Sequence, residues 1–139
     1  MVEAAKSALD TISTTEAPSP MGPYVQAKGV SVGGTRLLFV SGQLPINGRS
    51  GKVIEPDVVA QTHLSLANAM AIVEASGGDR SHVVKVTMFV SNLDHSSLIN
   101  EAYQSCFGES LPARTTVEVS RLPRDALLEV DIIAAIPIT

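Results

Sequence analysis

Cysteine is almost missing from this chain of 139 residues: Cys106 stands alone. An intrachain disulfide and a cysteine-built metal cluster are therefore excluded, and a single thiol suits a reducing compartment. Charge is scarce too. Asp, Glu, Lys and Arg make up 17% of the residues and apolar types 45%, whereas an ordinary globular chain is roughly 25% charged. A disordered acidic or basic chain needs the opposite balance. There is no basic surplus, since 10 Lys+Arg face 14 Asp+Glu for a net charge of −4, and a nucleic-acid surface is disfavoured. Nor does any stretch reach the roughly 18 continuous apolar residues of a membrane span. The segment from Met1 to about Pro20 lacks the apolar run of a signal peptide, and Lys6 is its only basic side chain, unlike an Arg-rich transit peptide. The expected location is the cytoplasm, with the mitochondrion left open.

What remains suffices for one domain with a real core. A small domain has much surface per volume, so a weakly charged one is expected to hide part of it in an oligomer. No repeat, low-complexity tract or linker divides the chain, and Thr11 to Pro20, crowded with Ser, Thr and Pro, reads as an irregular lead-in. Val25–Val32 and Arg36–Ser41 flank Gly33-Gly34 and read as a hairpin. Gly42 through Gly51 must be loop. The stripe Val59, His63, Leu66, Met70, Val73 has helical spacing, begins after Pro56-Asp57 and ends at Gly77-Gly78. His82–Val90 alternates as a strand. Asp94 is a plausible N-cap for a second helix to about Phe107, with Leu98, Ala102 and Cys106 on one side. Arg114–Val119 and Leu127–Ile136 close the chain as strands. The order β-β-α-β-α-β-β is an α+β pattern, most simply two helices on one face of a single sheet.

Alternation sets Arg114, Thr116 and Glu118 on one side of their strand, and pairs Glu129 with Asp131 opposite Leu128, Val130 and Ile132. Arginine can grip a carboxylate through two parallel hydrogen bonds, and a glutamate in a cleft can take a proton from water. The same residues would equally mark the solvent face of an antiparallel sheet, and pattern leaves both readings open. His63, His82 and His95 show no metal-ligand spacing; His63, on an apolar stripe, reads as packed or interfacial. Cys106 reads as a buried, inert thiol. No glycine-rich phosphate loop is present. Periodicity thus reaches an α+β domain, expected to be oligomeric, with one Arg/carboxylate face.

Motifs go further. Gly22-Pro-Tyr-Val-Gln26, Phe39-Val-Ser-Gly-Gln-Leu-Pro45 and Leu111-Pro-Ala-Arg-Thr-Thr-Val-Glu-Val-Ser-Arg-Leu-Pro123 together resemble the RidA/YjgF family of reactive-intermediate deaminases, with Val84–Val90 and Ile99–Tyr103 matching in type and order. The likeness runs from about Ile12 to Ile136, leaving residues 1–11 as an N-terminal extension of a single domain, 12–139. It implies a chorismate-mutase-like fold and a homotrimer with a cleft at each subunit interface. It also implies hydrolysis of small 2-imino acids, in exchange with enamines, to 2-keto acids and ammonia, as a 2-iminobutanoate/2-iminopropanoate-type deaminase. By the same resemblance Arg114 clamps the substrate carboxylate and Glu129 positions and activates water. Tyr24, Ser41, Gly42 and Asn100 match pocket residues, and Thr116 stands where the family often has cysteine. No cofactor or metal is implied, because a protonated imine is already electrophilic. The link from Phe107 to Pro112 looks short for the family. Two other readings are weighed: a binding or chaperone-like module of the same fold, which needs neither Arg114 nor Glu129, and a ribonuclease, against which the negative charge and the missing histidine pair argue.

Overall fold

The computed structural model describes residues 8–139; the first seven residues of the 1–11 extension lie outside the described residues. Six strands form one sheet in the order β1-β2-β3-β6-β4-β5: β1 (Leu9–Ile12), β2 (Ala27–Val32), β3 (Thr35–Gln43), β4 (Val83–Val90), β5 (Ala113–Glu118) and β6 (Leu128–Pro137). Helices α1 (Val58–Ala75) and α2 (Ser96–Phe107) cover one face. This is the α+β architecture of two helices on a single sheet. The sheet is mixed, however: β5 runs parallel to β4 and every other pairing is antiparallel. A parallel return needs a crossover, and α2 supplies it between β4 and β5.

β6 organises the sheet. Leu128, Val130, Ile132, Ala134 and Ile136 point into the core, each at most 3% exposed, while Glu129, Asp131, Ile133 and Ala135 point the other way and are half-buried. A fully buried Val, Leu or Ile is worth about 1.5–3 kcal/mol. A one-residue slip would turn two carboxylates inward, so the register is locked. The β2–β3 hairpin closes through Gly33-Gly34 with Val32 opposite Thr35, and Gly33 takes φ 60°, a left-handed conformation that glycine adopts freely. β1, whose last two residues fall in the lead-in expected to be irregular, adds a sheet edge across the expected 11/12 boundary. It pairs Leu9–Ile12 with Ala27–Val30, and an Asp10–Arg36 ion pair ties it to β3.

α1 is capped by Asp57, whose carboxylate accepts from the Ala60 N–H at 3.0 Å. Its buried surface is wider than the apolar stripe suggested and includes Gln61, Thr62, Ser65 and Asn68. These polar groups are buried because most have partners. Gln61 Nε2 donates to the Ile54 and Glu55 carbonyls, both at 3.1 Å, and its Oε1 accepts from the Leu127 N–H at 2.9 Å. Asn68 Nδ2 donates to the carbonyls of Leu44 and Ile46 at 3.1 and 3.0 Å. His63 is exposed, correcting its reading as packed; nothing in the described residues covers it.

α2 also departs from expectation. Asp94 is not its N-cap. Asn92 caps a short 3₁₀ turn that precedes the helix, accepting from the Asp94 N–H at 2.9 Å, and Glu118 accepts from the Leu93 N–H at 2.9 Å. The buried face is Ile99, Ala102, Tyr103 and Phe107, while Leu98 is exposed and Cys106 only half-buried. The spacing that selected Leu98 and Cys106 was helical, but it lay one position away from the stripe that meets the sheet. Burial pushes the Cys106 thiol pKa up, which leaves it protonated and unreactive.

Gln61→Ala would leave two carbonyls and one N–H without their side-chain partner. At about 1–3 kcal/mol for a buried unsatisfied group, a loss of roughly 2–4 kcal/mol is expected, read as a lower urea midpoint at fixed protein concentration. An unchanged midpoint would show that water satisfies these groups.

Candidate active site

Two clefts hold all but Thr116 of the site residues singled out from the sequence, and a single chain keeps them apart. The first, a cavity of about 340 Å³, is lined by Tyr24, Ser41, Gly42 and Glu129 together with Met21, Leu44, Ile46 and Pro123. The second, about 280 Å³, is lined by Asn100, Arg114, Tyr103, Gln104, Leu111 and Pro112. Arg114 pairs in register with Val86 and Glu129 with Phe89. Val86 is fully buried on the helix side, whereas Phe89 lies half-buried on the open side. Arg114 therefore shares the helix side with α2, and Glu129 the opposite face. The expected single Arg/carboxylate face does not exist within one chain. Adjacent strands in sequence suggested it, but β4 lies between β5 and β6, and the register that sets Arg114 opposite buried Val86 puts it on the far side.

The first cleft is built by loops that buried amides hold. Gln26, 3% exposed, accepts from the Thr14 N–H at 2.7 Å and donates to the carbonyls of Thr14, Ala17 and Pro18 at 3.0, 3.3 and 2.9 Å. It thus folds the lead-in segment into a wall. Asn68 does the same for the loop carrying Leu44 and Ile46, which packs with Leu122 and Ala126 in a second small apolar cluster. The Tyr24 hydroxyl accepts from the Met21 N–H at 3.2 Å and its ring stands 47% exposed at the rim. Gln26 and Asn68 were missed as site residues. The signal that could have found Gln26 was its place in the Gly22–Gln26 motif.

Ser41 lies in β3 as expected, and so does Gly42, where the loop was expected to start. The pairing of β3 with β6 shifts between Val40 and Gln43, a bulge that re-aims side chains next to a site. The Ser41 hydroxyl donates to the Val25 carbonyl at 2.6 Å. Gly42 is where Glu129 rests: a Cβ there would come 2.9 Å from the carboxyl carbon and closer still to Oε1. Only a residue without a side chain leaves room for the carboxylate against the β3 backbone.

Glu129 has no arginine beside it in one chain. Burial, and secondly the negative Asp131, hold its pKa above the usual carboxylate range. Asp131 is also raised by burial, offset by a hydrogen bond from Thr87 and the nearby Lys85. On the other side, the Arg114 guanidinium carbon lies 4.7 Å from the Tyr103 ring centroid. Thr116, on the same side of β5, lines neither cavity, and its buried hydroxyl has no partner. Among the described residues no group of three or more His, Cys, Asp or Glu is arranged to hold a metal ion. His82 accepts from the Asp79 N–H at 3.0 Å, a structural use.

Gly42→Ala is expected to fold, since Gly42 needs no left-handed conformation, and to push the Glu129 carboxyl out of its seat into water. Its pKa, followed by carbon-13 NMR of the carboxyl, should return toward the ordinary value; an unmoved titration would show that Gly42 does not set it.

The chain is similar to a set of known proteins over nearly its whole length. A family model described as Endoribonuclease L-PSP matches residues 14–136. A 2-iminobutanoate/2-iminopropanoate deaminase of Escherichia coli is 44% identical over 127 residues, covering 89% of this chain and 95% of the relative. A RutC family protein of Pyrococcus abyssi is 44% identical, covering 91% and 97%. Among solved structures, Escherichia coli TdcF with bound serine superposes with a TM-score of 0.81 at 41% identity, covering 90% and 97%. The fold, the matched span and these identities agree: the chain belongs to the RidA/YjgF family.

Proposed function

We propose that this chain hydrolyses small 2-imino acids to 2-keto acids and ammonia, in clefts formed between copies of itself. The observation that carries the reading is the division of the site. A cleft with a seated carboxylate lies on one side of the sheet, and a cleft with an arginine that has no ion pair among the described residues lies on the other. Neither half is a catalyst alone. The open sheet face offers the means of joining them: Phe39 is 44% exposed there beside half-buried Leu37, Ile133 and Ala135, and Val117, 39% exposed, lies against half-buried Phe89. Exposed apolar patches of this kind mark an association surface. A head-to-tail contact that closes into a three-fold ring would set the β5 edge of each copy against the first cleft of the next and give three equal sites.

In such a site Arg114 of one copy holds the substrate carboxylate through two parallel hydrogen bonds, with Asn100 beside it. That chemistry agrees with the serine, an amino acid, held by the solved relative TdcF. Glu129 of the neighbouring copy takes a proton from water as the water oxygen bonds to the imine carbon. Glu129 returns that proton to the nitrogen of the resulting aminoalcohol, ammonia leaves with the C–N electron pair, and the hydroxyl gives its own proton to Glu129 as it becomes the keto group. Arg114 lowers the pKa of Glu129 in the empty site, and the substrate carboxylate cancels part of that charge, which makes Glu129 a stronger base once substrate is bound. A ribonuclease reading fits less well, because the chain is net negative and His63, His82 and His95 stand on separate elements.

The test generates 2-iminobutanoate and 2-iminopropanoate with an amino-acid oxidase and traps them with semicarbazide; the protein should suppress the trapped product, and no suppression would refute the activity. Arg114→Lys keeps the charge without the fork and should lower kcat/KM roughly ten- to a hundredfold, as expected for a lost charged hydrogen bond of about 1.5–3 kcal/mol. Glu129→Gln should lower kcat about a hundredfold or more while leaving the affinity for an unreactive 2-keto acid near that of the parent. An unchanged kcat would remove Glu129 from the mechanism.

The divided site makes a sharper demand. Arg114→Lys and Glu129→Gln chains, each nearly inactive, should regain activity when refolded together, because about a quarter of head-to-tail interfaces in a random mixture combine an intact Arg114 with an intact Glu129. No gain on mixing would place both residues in one copy's site. Light scattering at micromolar concentration should show a trimer; a monomer would refute the interfacial cleft.

A further inference from the structure

Among the described residues, Arg114 has no carboxylate or carbonyl for its guanidinium; its neighbour is the face of an aromatic ring. Tyr103 lies one helical turn from Asn100 on α2, is 5% exposed, and packs its ring on Phe107 with centroids 4.8 Å apart. Phe107 is fully buried in the core. A column therefore runs from the core through Phe107 and Tyr103 to the guanidinium at the surface. Arginine on an edge strand has many rotamers, and some contact must choose among them. A carboxylate could do so, but it would occupy the donors that a substrate needs. The negative face of a ring holds the cation and takes no N–H donor.

We propose that Tyr103 is a positioning residue for Arg114, its ring face fixing the guanidinium with the N–H donors free for an incoming carboxylate. This rests on the reading of Arg114 as carboxylate clamp. The ring and not the hydroxyl carries the role: the Tyr103 hydroxyl is buried and, among the described residues, without a partner. Burial raises its pKa to about 12, the nearby Arg114 opposing, so it stays neutral and the ring keeps an ordinary π face.

Phenylalanine analogues with progressively fluorinated rings, placed at position 103 of the full chain, test this. They keep the shape while weakening the negative face step by step. Measured quantities are KM and kcat for 2-iminobutanoate, the Kd of 2-oxobutanoate, and the thermal midpoint. Tyr103→Phe should retain the affinity of the parent, and full ring fluorination should then raise KM and Kd together about three- to fivefold, with kcat and the midpoint little moved. A flat KM across the series would overturn the proposal, as would a Tyr103→Phe loss equal to that of the fluorinated ring, which would assign the role to the hydroxyl. Arg114→Lys in the Tyr103→Phe background separates the two ideas. If 2-oxobutanoate still binds as tightly, the clamp itself is wrong; if binding weakens while the fluorinated series is flat, the clamp stands and Tyr103 does not position it.

Discussion

Everything in this fold depends on the inequality of the two faces of β6. Five of its side chains are sealed beneath the helices, at most 3% exposed, and the alternate ones emerge on a face that α1 and α2 never reach. Hydrophobic burial on one face is what holds two carboxylates on the other, because moving either inward would desolvate a charge with no cation waiting. Glu129 is therefore not placed by an interaction of its own. It is placed by Leu128 and Val130, and the opening for it comes from a bulge and a glycine in β3.

Much of the scaffold was legible because it follows from period and punctuation. The hairpin around Gly33-Gly34, the start of α1 at Asp57, and the alternation of β4 and β6 each rest on local chemistry that tertiary contacts did not override. What was illegible depends on pairing. Alternation tells which residues share a side of one strand, but not which strand lies next to it or in which direction. β5 and β6 follow one another in sequence and flank β4 in space, so the arginine and the glutamate that pattern grouped together were separated by β4 and by a register that sets Arg114 opposite buried Val86. β1 was illegible for a related reason: Leu9–Ile12 has little burial of its own, and hydrogen bonding to β2 makes it a strand.

The cleft walls were hidden differently. Gln26, Gln61 and Asn68 are polar residues in buried places, and composition counts them as surface. Each was kept inside by loop carbonyls and N–H groups that would otherwise be stranded away from water. In α1 this widened the buried arc well beyond the apolar stripe, and it explains why His63, on the stripe, is outside while Gln61, off it, is inside. The helix faces loops as well as sheet, and loops present backbone dipoles, not methyl groups.

The two half-sites are each electrostatically incomplete, and in opposite senses. Glu129 is partly desolvated beside Asp131, so its ionised form is disfavoured and lacks a compensating cation. Arg114 is a permanent cation with an aromatic face for company and, among the described residues, no anion. An isolated chain carries both deficits, and they lie on different faces of the sheet, where no side-chain rearrangement brings them together. In the proposed assembly, contact between copies removes both, and a carboxylate substrate completes it by taking the donors that remain. On this reading, association and catalysis share one set of charges: a change that satisfied Arg114 or Glu129 within its own chain would stabilise the single copy and weaken both the assembly and the reaction.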